Sequence, residues 1–363
     1  MKPFVGYCFF FILFTGIVSF CDHSSTAQNP STRYWEMKGT QHQHLFIDHT
    51  DSLSAQQIFE LCDEKGLSVW FGRDIRKVVC LTGQCRMVHV WLFWDGAGNY
   101  LGFQEHQGDP LTKTDHTVFS DADKQKLHRI LADSVSVLKN LKQEELIIKP
   151  DKIDQKVDAV SSATQPSLQE YLVRNAAYTC YTLWHTVYSS TRGEVLRILE
   201  KRANKDYLNL VFEGNNPEYL RWAIGFTRRH PNYHADFYPQ IIDLIKNKNE
   251  TVSGQALAYF SKDRLSDVGL QKEIIKAFDN FGYQRKFELL WKLSEVKRID
   301  DEVIVHILDM FEKEHINASL LGYAYKLIRP ENLEDPRIRK KLNSFVIHKN
   351  LYVRNITQKV LEN

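Results

Sequence analysis

The segment Val157-Asp158-Ala159-Val160-Ser161-Ser162-Ala163-Thr164-Gln165-Pro166-Ser167 concentrates residues suited to holding a charged ligand. Small hydroxyl side chains crowd a tight loop, and Pro166 stands where the first turn of a following helix would begin. The unpaired N–H groups of such a helix start, with the positive end of its dipole, make a phosphate site. Thr164 can also act as the N-cap of that helix, and the two uses can coexist. A second candidate is Cys80 and Cys85, which enclose the turn-like Leu81-Thr82-Gly83-Gln84. In an oxidising compartment such a pair forms a disulfide. With His89 the same cysteines would make a metal site that lacks a clear fourth ligand, so no metal is assigned. No catalytic residue is assigned either. The C-terminal half holds no Ser/His/Asp set, no His-Glu-x-x-His and no Gly-rich phosphate loop.

The elements around these residues change period along the chain. Ser54 to Lys65 suggests a helix with Ile58, Leu61 and Cys62 on one face and Gly66 as its C-cap. Met87 to Trp94 is apolar and β-rich, with His89 inside it as a satisfied structural residue. Asp95-Gly96-Ala97-Gly98-Asn99 is a turn, and Tyr100 to Gln104 returns as a second strand. Gly108 to Thr117 is loop, Asp123 to Lys139 a helix opened by Ser120-Asp121-Ala122-Asp123, and Glu145 to Lys149 a short strand. A long helix is expected from Pro166 to about Tyr188, with Cys180 a buried thiol on it.

The chain begins with Lys2 and an apolar run from Phe4 to Phe20, followed by Cys21 and a polar tract, which is the order of a secretion signal. Val18-Ser19-Phe20-Cys21 resembles a bacterial lipobox, in which the Cys becomes a lipidated N-terminus. An uncleaved anchor and simple cleavage are the other outcomes, and all three place the mature chain outside the cytoplasm, in the periplasm or on the cell surface. Residues 22–50 are a polar, irregular tether in which His42 and His44 are solvated. The net charge of +2, with 25% charged residues, carries no nucleic-acid footprint.

Beyond about Leu208 the chain repeats itself at a spacing of about 33 residues. Ile241-Ile242 recurs as Ile274-Ile275, as Ile307-Leu308 and loosely as Leu342 to Phe345. A second apolar segment follows each, carrying Leu257 and Phe260, Leu290 and Leu293, Tyr323 and Leu327, then Ile356 and Val360. Leu208-Val211-Phe212 with Leu220 and Ile224 is an earlier, divergent pair. One such pair cannot bury its own apolar face, so stacked HEAT-like pairs are expected to build a solenoid that binds a protein partner. The expected organisation is a signal peptide over 1–21, a tether over 22–50, an α+β domain over 51–190 and all-α repeats over 191–363.

The stretch from Asp158 to Thr164 resembles the Asp-x-x-Ser-Gly-Ala-Thr motif of the FMN-binding domain family, found in flavin-carrying subunits of Rnf- and Nqr-type electron-transport complexes. By position Asp158, Ser161, Ala163 and Thr164 match the motif. Ser162 stands where the family has Gly, and Pro166 where it often has a second Thr. The family's order of hairpin, loop, helix and motif is similar to the order expected here. The resemblance implies FMN joined covalently to Thr164 by a flavin transferase, and a membrane-tethered electron-transfer flavoprotein whose helical array docks a partner. Ser162 and Pro166 motivate the alternative, a lipoprotein scaffold whose flavin-like domain no longer binds cofactor.

Overall fold

The computed structural model describes residues 33–47, 55–79, 86–146 and 168–362. Strands β1 (Thr40–Ile47), β2 (Ala55–Cys62), β3 (Ser68–Lys77), β4 (Val88–Asp95) and β5 (Tyr100–Glu105) form one antiparallel sheet in the order β1-β2-β3-β4-β5. Helices α1 (Asp121–Ala132) and α2 (Ala177–Val187) follow. Then come α3 (Ser190–Arg202), α4 (Lys205–Glu213), α5 (Pro217–Arg229), α6 (His234–Leu244), α7 (Glu250–Tyr259) and α8 (Val268–Ala277). The last are α9 (Tyr283–Ser294), α10 (Asp301–Glu312), α11 (Ala318–Ala324), α12 (Pro336–Phe345) and α13 (Leu351–Glu362). The class is thus α+β followed by all-α. The described residues fall in two compact units. One takes the chain up to Glu36 with Ile75–Leu92 and Leu101–His185; the other takes Met37–Asp74, Phe93–Tyr100 and Thr186 onward.

In the first unit, α1 opens on a capping box. Ser120 accepts from the Asp123 N–H, and Asp123 accepts from the Ser120 N–H at 2.9 Å. The helix stops at Ala132 rather than at Lys139, because the Asp133 carboxylate accepts from the Val135 N–H at 2.9 Å and turns the chain. Of the strand expected over Glu145 to Lys149, Glu145 and Leu146 belong to a 3-10 turn, Gln143–Leu146, and residues 147–149 lie outside the described residues. Of the helix expected from Pro166 to about Tyr188, residues 166–167 lie outside the described residues, and in the remainder the α-helix starts at Ala177. Asn175 takes φ 58°, a left-handed conformation that interrupts a helix. Helix α2 is tied back through its rings: Trp184 Nε1 donates to the Asp133 carbonyl at 2.8 Å and Tyr181 Oη to the Leu141 carbonyl at 3.1 Å. Cys180 is a free, buried thiol, and burial pushes its pKa up to about 12.

In the second unit, two expectations over residues 40–62 are corrected. Thr40–Ile47 is β1, not tether, and Ala55–Cys62 is β2, not helix. A strand alternates its faces. In β2 that places Gln56, Ile58, Glu60 and Cys62 on one side, and polar residues at two of these positions hide the period of two. Gly66, at φ 84°, closes the turn to β3, with its N–H on the Asp63 carbonyl at 3.0 Å. The turn after β4 is as expected. Asp95 Oδ1 accepts from the Ala97 and Asn99 N–H groups, both at 2.8 Å, and Gly98 takes φ 77°.

Glu60 has no exposed surface and is answered from three elements. Arg202 of α3 donates Nη1 and Nη2 to its two oxygens at 2.6 and 2.7 Å, Ser68 Oγ donates at 2.6 Å, and His44 Nε2 lies 2.8 Å away. Burial alone would raise the Glu60 pKa; the bonds from Arg202, Ser68 and His44 outweigh it and hold the carboxyl at about 2. His44 is therefore a partner within the sheet, not a solvated tether residue.

The helical spacing holds. Ile241-Ile242 lies on α6, Ile274-Ile275 on α8, Ile307-Leu308 on α10 and Leu342 with Phe345 on α12. Helices α5, α7, α9, α11 and α13 pack each on the next of that series, and α6, α8, α10 and α12 do likewise. One apolar cluster runs from Tyr207 to Val353 through these helices. Buried amides bridge neighbours: Gln271 Nε2 donates to the Arg298 carbonyl at 3.1 Å, and Asn332 Nδ2 to the Ile299 carbonyl at 3.2 Å. Most helix starts carry Asn or Asp caps, among them Asn204, Asn249, Asp300 and Asn317.

Two outcomes follow from this packing. Leu290 is fully buried, so Leu290→Asp should cost on the order of 3–5 kcal/mol in urea denaturation followed by circular dichroism. Unchanged stability would contradict its place in the core. The Glu60 carboxyl is lower when folded, about 2 against an ordinary 4.5. Its stabilisation is therefore complete above about pH 4.5 and is lost as pH falls towards 2, a difference of roughly 3 kcal/mol. Glu60→Gln should flatten the stability–pH curve in that window, and an unaltered acid limb would refute the assignment.

Candidate interaction groove

Helix α9 has apolar residues on two faces. Leu289, Leu290 and Leu293 point into the core. Tyr283, Phe287 and Trp291, spaced by four, line the outer face as a stripe. Tyr283 is 53% exposed and Trp291 48%, large values for aromatic rings on a helix packed on both sides. Across from this stripe, α7 offers Gly254 and Ala258, also four apart. Small side chains there hold the surface back and leave a cavity of about 370 Å³ lined by Gly254, Leu257, Ala258, Phe287, Glu288, Trp291 and Lys292. A Cβ on Gly254 would come within 3.3 Å of the Arg285 guanidinium.

The walls are held in place by specific contacts. Phe287 meets Tyr323 of α11 edge to face, with ring centroids 4.6 Å apart. Lys326 Nζ sits 5.1 Å above the Trp291 ring and 5.0 Å above the Tyr323 ring. Lys292 Nζ donates to the Phe260 carbonyl at 3.3 Å. At the other end, Arg285 donates Nε to Ser253 Oγ at 2.7 Å and pairs with both Glu288 and Glu250 at 2.7 Å. Chemically the groove offers stacking faces, a shallow apolar floor and ammonium groups. Such a lining is of the kind that seats an apolar side chain.

A second cluster lies in the first unit. His89 Nδ1 is 3.0 Å from Asp109 Oδ2, Arg86 Nη2 donates to Asp109 Oδ1 at 2.5 Å, and the His89 and His106 rings stack with centroids 3.6 Å apart. Arg86 and His89 hold the Asp109 carboxyl below its usual range, chiefly through the His89 hydrogen bond. The sequence reading of His89 as a satisfied residue agrees with these partners.

The site residues assigned from sequence lie elsewhere. Cys21, Cys80, Cys85, Asp158, Ser161, Ser162, Ala163 and Thr164 fall outside the described residues. Of the remaining cysteines, Cys62 is free and buried like Cys180, and burial, reinforced by Glu60, pushes its thiol up to about 11. The groove was missed although its signal was present. The stretch from Tyr283 to Ser294 carries an aromatic stripe at four-residue spacing opposite its leucines, and a helix that is apolar on two faces has a second face to cover. No protein-family model matches the chain, and no curated protein does.

Proposed function

We propose that this chain is an exported, membrane-tethered interaction protein. On this reading its helices form a HEAT-like solenoid that grips a protein partner in the groove between α7 and α9. The observation that carries the reading is the aromatic pair of half-buried Phe287 and exposed Trp291 beside the small-residue face of α7, with exposed Tyr283 one turn before them. Exposed apolar surface in a concave setting marks an interaction site, and Trp and Tyr are the residues that most often dominate binding energy. Tethering through Cys21 is carried by the N-terminal sequence. Among the described residues no helix is long and apolar enough to cross a membrane.

The test is a selection. A random peptide library displayed on phage is panned against the whole chain and against Trp291→Ala. Trp291 is half exposed, so the variant keeps its fold, which circular dichroism checks. Peptides enriched on the unmodified chain should bind Trp291→Ala about tenfold more weakly or worse. Equal enrichment on both would remove the groove as the docking site.

The motif Asp158–Thr164 favours a second reading, in which the exported chain also carries FMN on Thr164 and takes part in electron transfer. If FMN is bound it supplies the redox chemistry, and the protein positions it. Expression in a bacterial host that exports the chain and supplies a flavin transferase tests this reading together with the tether. The unmodified chain should fractionate with membranes and fluoresce under ultraviolet light on a denaturing gel. Thr164→Ala should be dark, and Cys21→Ser should leave the membrane fraction or remain unprocessed. A dark band from the unmodified chain would end the flavin reading, and membrane retention of processed Cys21→Ser would end the lipid one.

A further inference from the structure

The charges around the groove are unequal, and the inequality selects an occupant. At the N-terminal end of α9 the carboxylates of Glu288 and Glu250 share one cation, Arg285, and that end keeps the acidic character. At the C-terminal end the cations have other partners. Lys326 lies over the Trp291 and Tyr323 rings, and Lys292 donates to a backbone carbonyl. Arg329 donates to the Ser294 and Lys326 carbonyls at 3.1 and 2.8 Å. Among the described residues none of the three is paired with a carboxylate. Glu295, one turn beyond Trp291, is exposed and forms no ion pair with them. An ammonium has three donors, so Lys292 and Lys326 keep hydrogen-bonding capacity toward a ligand.

We propose that the groove binds an acidic peptide segment of a partner protein, with an apolar side chain seated against Trp291 and Phe287 and a carboxylate held by Lys292 and Lys326. This rests on the docking reading above. The apolar floor gives the anchor its energy, and the lysines give orientation and exclude basic partners by repulsion. Lys326 is held over two rings before any ligand arrives, which lowers the ordering cost of binding. The cavity is concave and takes only a few side chains, which suits one segment of chain rather than a broad flat surface.

The peptides enriched in the selection decide the matter. On the unmodified chain they should share an apolar residue followed or preceded by Asp or Glu, and their affinity should fall as salt rises. On Lys292→Glu/Lys326→Glu, Lys or Arg should replace the acids in the enriched set, and the original peptides should bind at least about tenfold more weakly. Lys326→Glu alone, at an exposed position, serves as the second variant if the double one folds poorly, and should shift the set the same way. Enrichment of neutral or basic peptides that still depend on Trp291 would overturn the acidic partner while leaving the docking site. Absence of any Trp291-dependent peptide would overturn the docking reading and this proposal with it.

Discussion

A carboxylate without water has to be matched where it lies, and Glu60 imposes that condition on the second unit. Its partners come from the adjacent strands and from α3, 142 residues further along the chain. His44 sets it against β1 and Ser68 against the start of β3. Arg202, with its guanidinium 6.0 Å over the Tyr207 ring, ties it to the junction of α3 and α4. Arg73 is a second buried charged side chain nearby. It donates to Thr191 Oγ1 at 2.6 Å and Gln56 Oε1 at 3.3 Å, and packs over Phe46. The buried Arg73 and the half-buried Arg202 both join the sheet to α3. A buried pair such as Glu60–Arg202 adds modest net stability, and removing one partner leaves an uncompensated charge.

Beyond α3 the helices propagate by apolar burial. Each pair leaves one face open for the next, and buried amides such as Gln271 and Asn332 join neighbours by backbone bonds. The outer faces of the helices have no such obligation, and there α7 and α9 diverge in side-chain size. Glycine and alanine on one helix against aromatic rings on the next make a trough instead of a flush surface. Its electrostatic asymmetry lies in the acids Glu250 and Glu288 sharing Arg285 at one end, while Lys292 and Lys326 at the other meet a carbonyl and aromatic rings. The cysteines among the described residues play no part in this. Cys62 and Cys180 are buried with raised thiol pKa values, so neither is a reactive thiolate at neutral pH.

Hairpin β4–β5, the loop after it and α1 follow one another as expected, with Asp95 and Ser120 as the local devices. Many α+β folds share that order, so it carries no family assignment by itself. The motif Asp158–Thr164 remains the carrier of the flavin reading, and the aromatic pair Phe287 and Trp291 carries the docking reading. The two are compatible: a tethered electron carrier needs a surface that recognises its partner.

Short-range chemistry made part of this fold legible in the chain. The Asp95–Asn99 turn makes its own hydrogen bonds, Ser120 and Asp123 cap their own helix, and the recurrence of Ile241-Ile242 at Ile274-Ile275 and Ile307-Leu308 reports helices that need stacked neighbours. The helix ends were less legible, because Asn175 and Asp133 break the expected helices through a left-handed residue and a side-chain turn that periodicity does not register. Strand β2 was illegible for a different reason. With Gln56 and Glu60 on its inward side, its alternation is invisible until Arg73 and Arg202 are brought up to them, and only tertiary structure does that. The groove belongs to the same class. The spacing of Tyr283, Phe287 and Trp291 was written in the chain, but the cavity beside Phe287 and Trp291 depends on Gly254 and Ala258 lying opposite on α7, a juxtaposition set by packing between helices and not by any local preference.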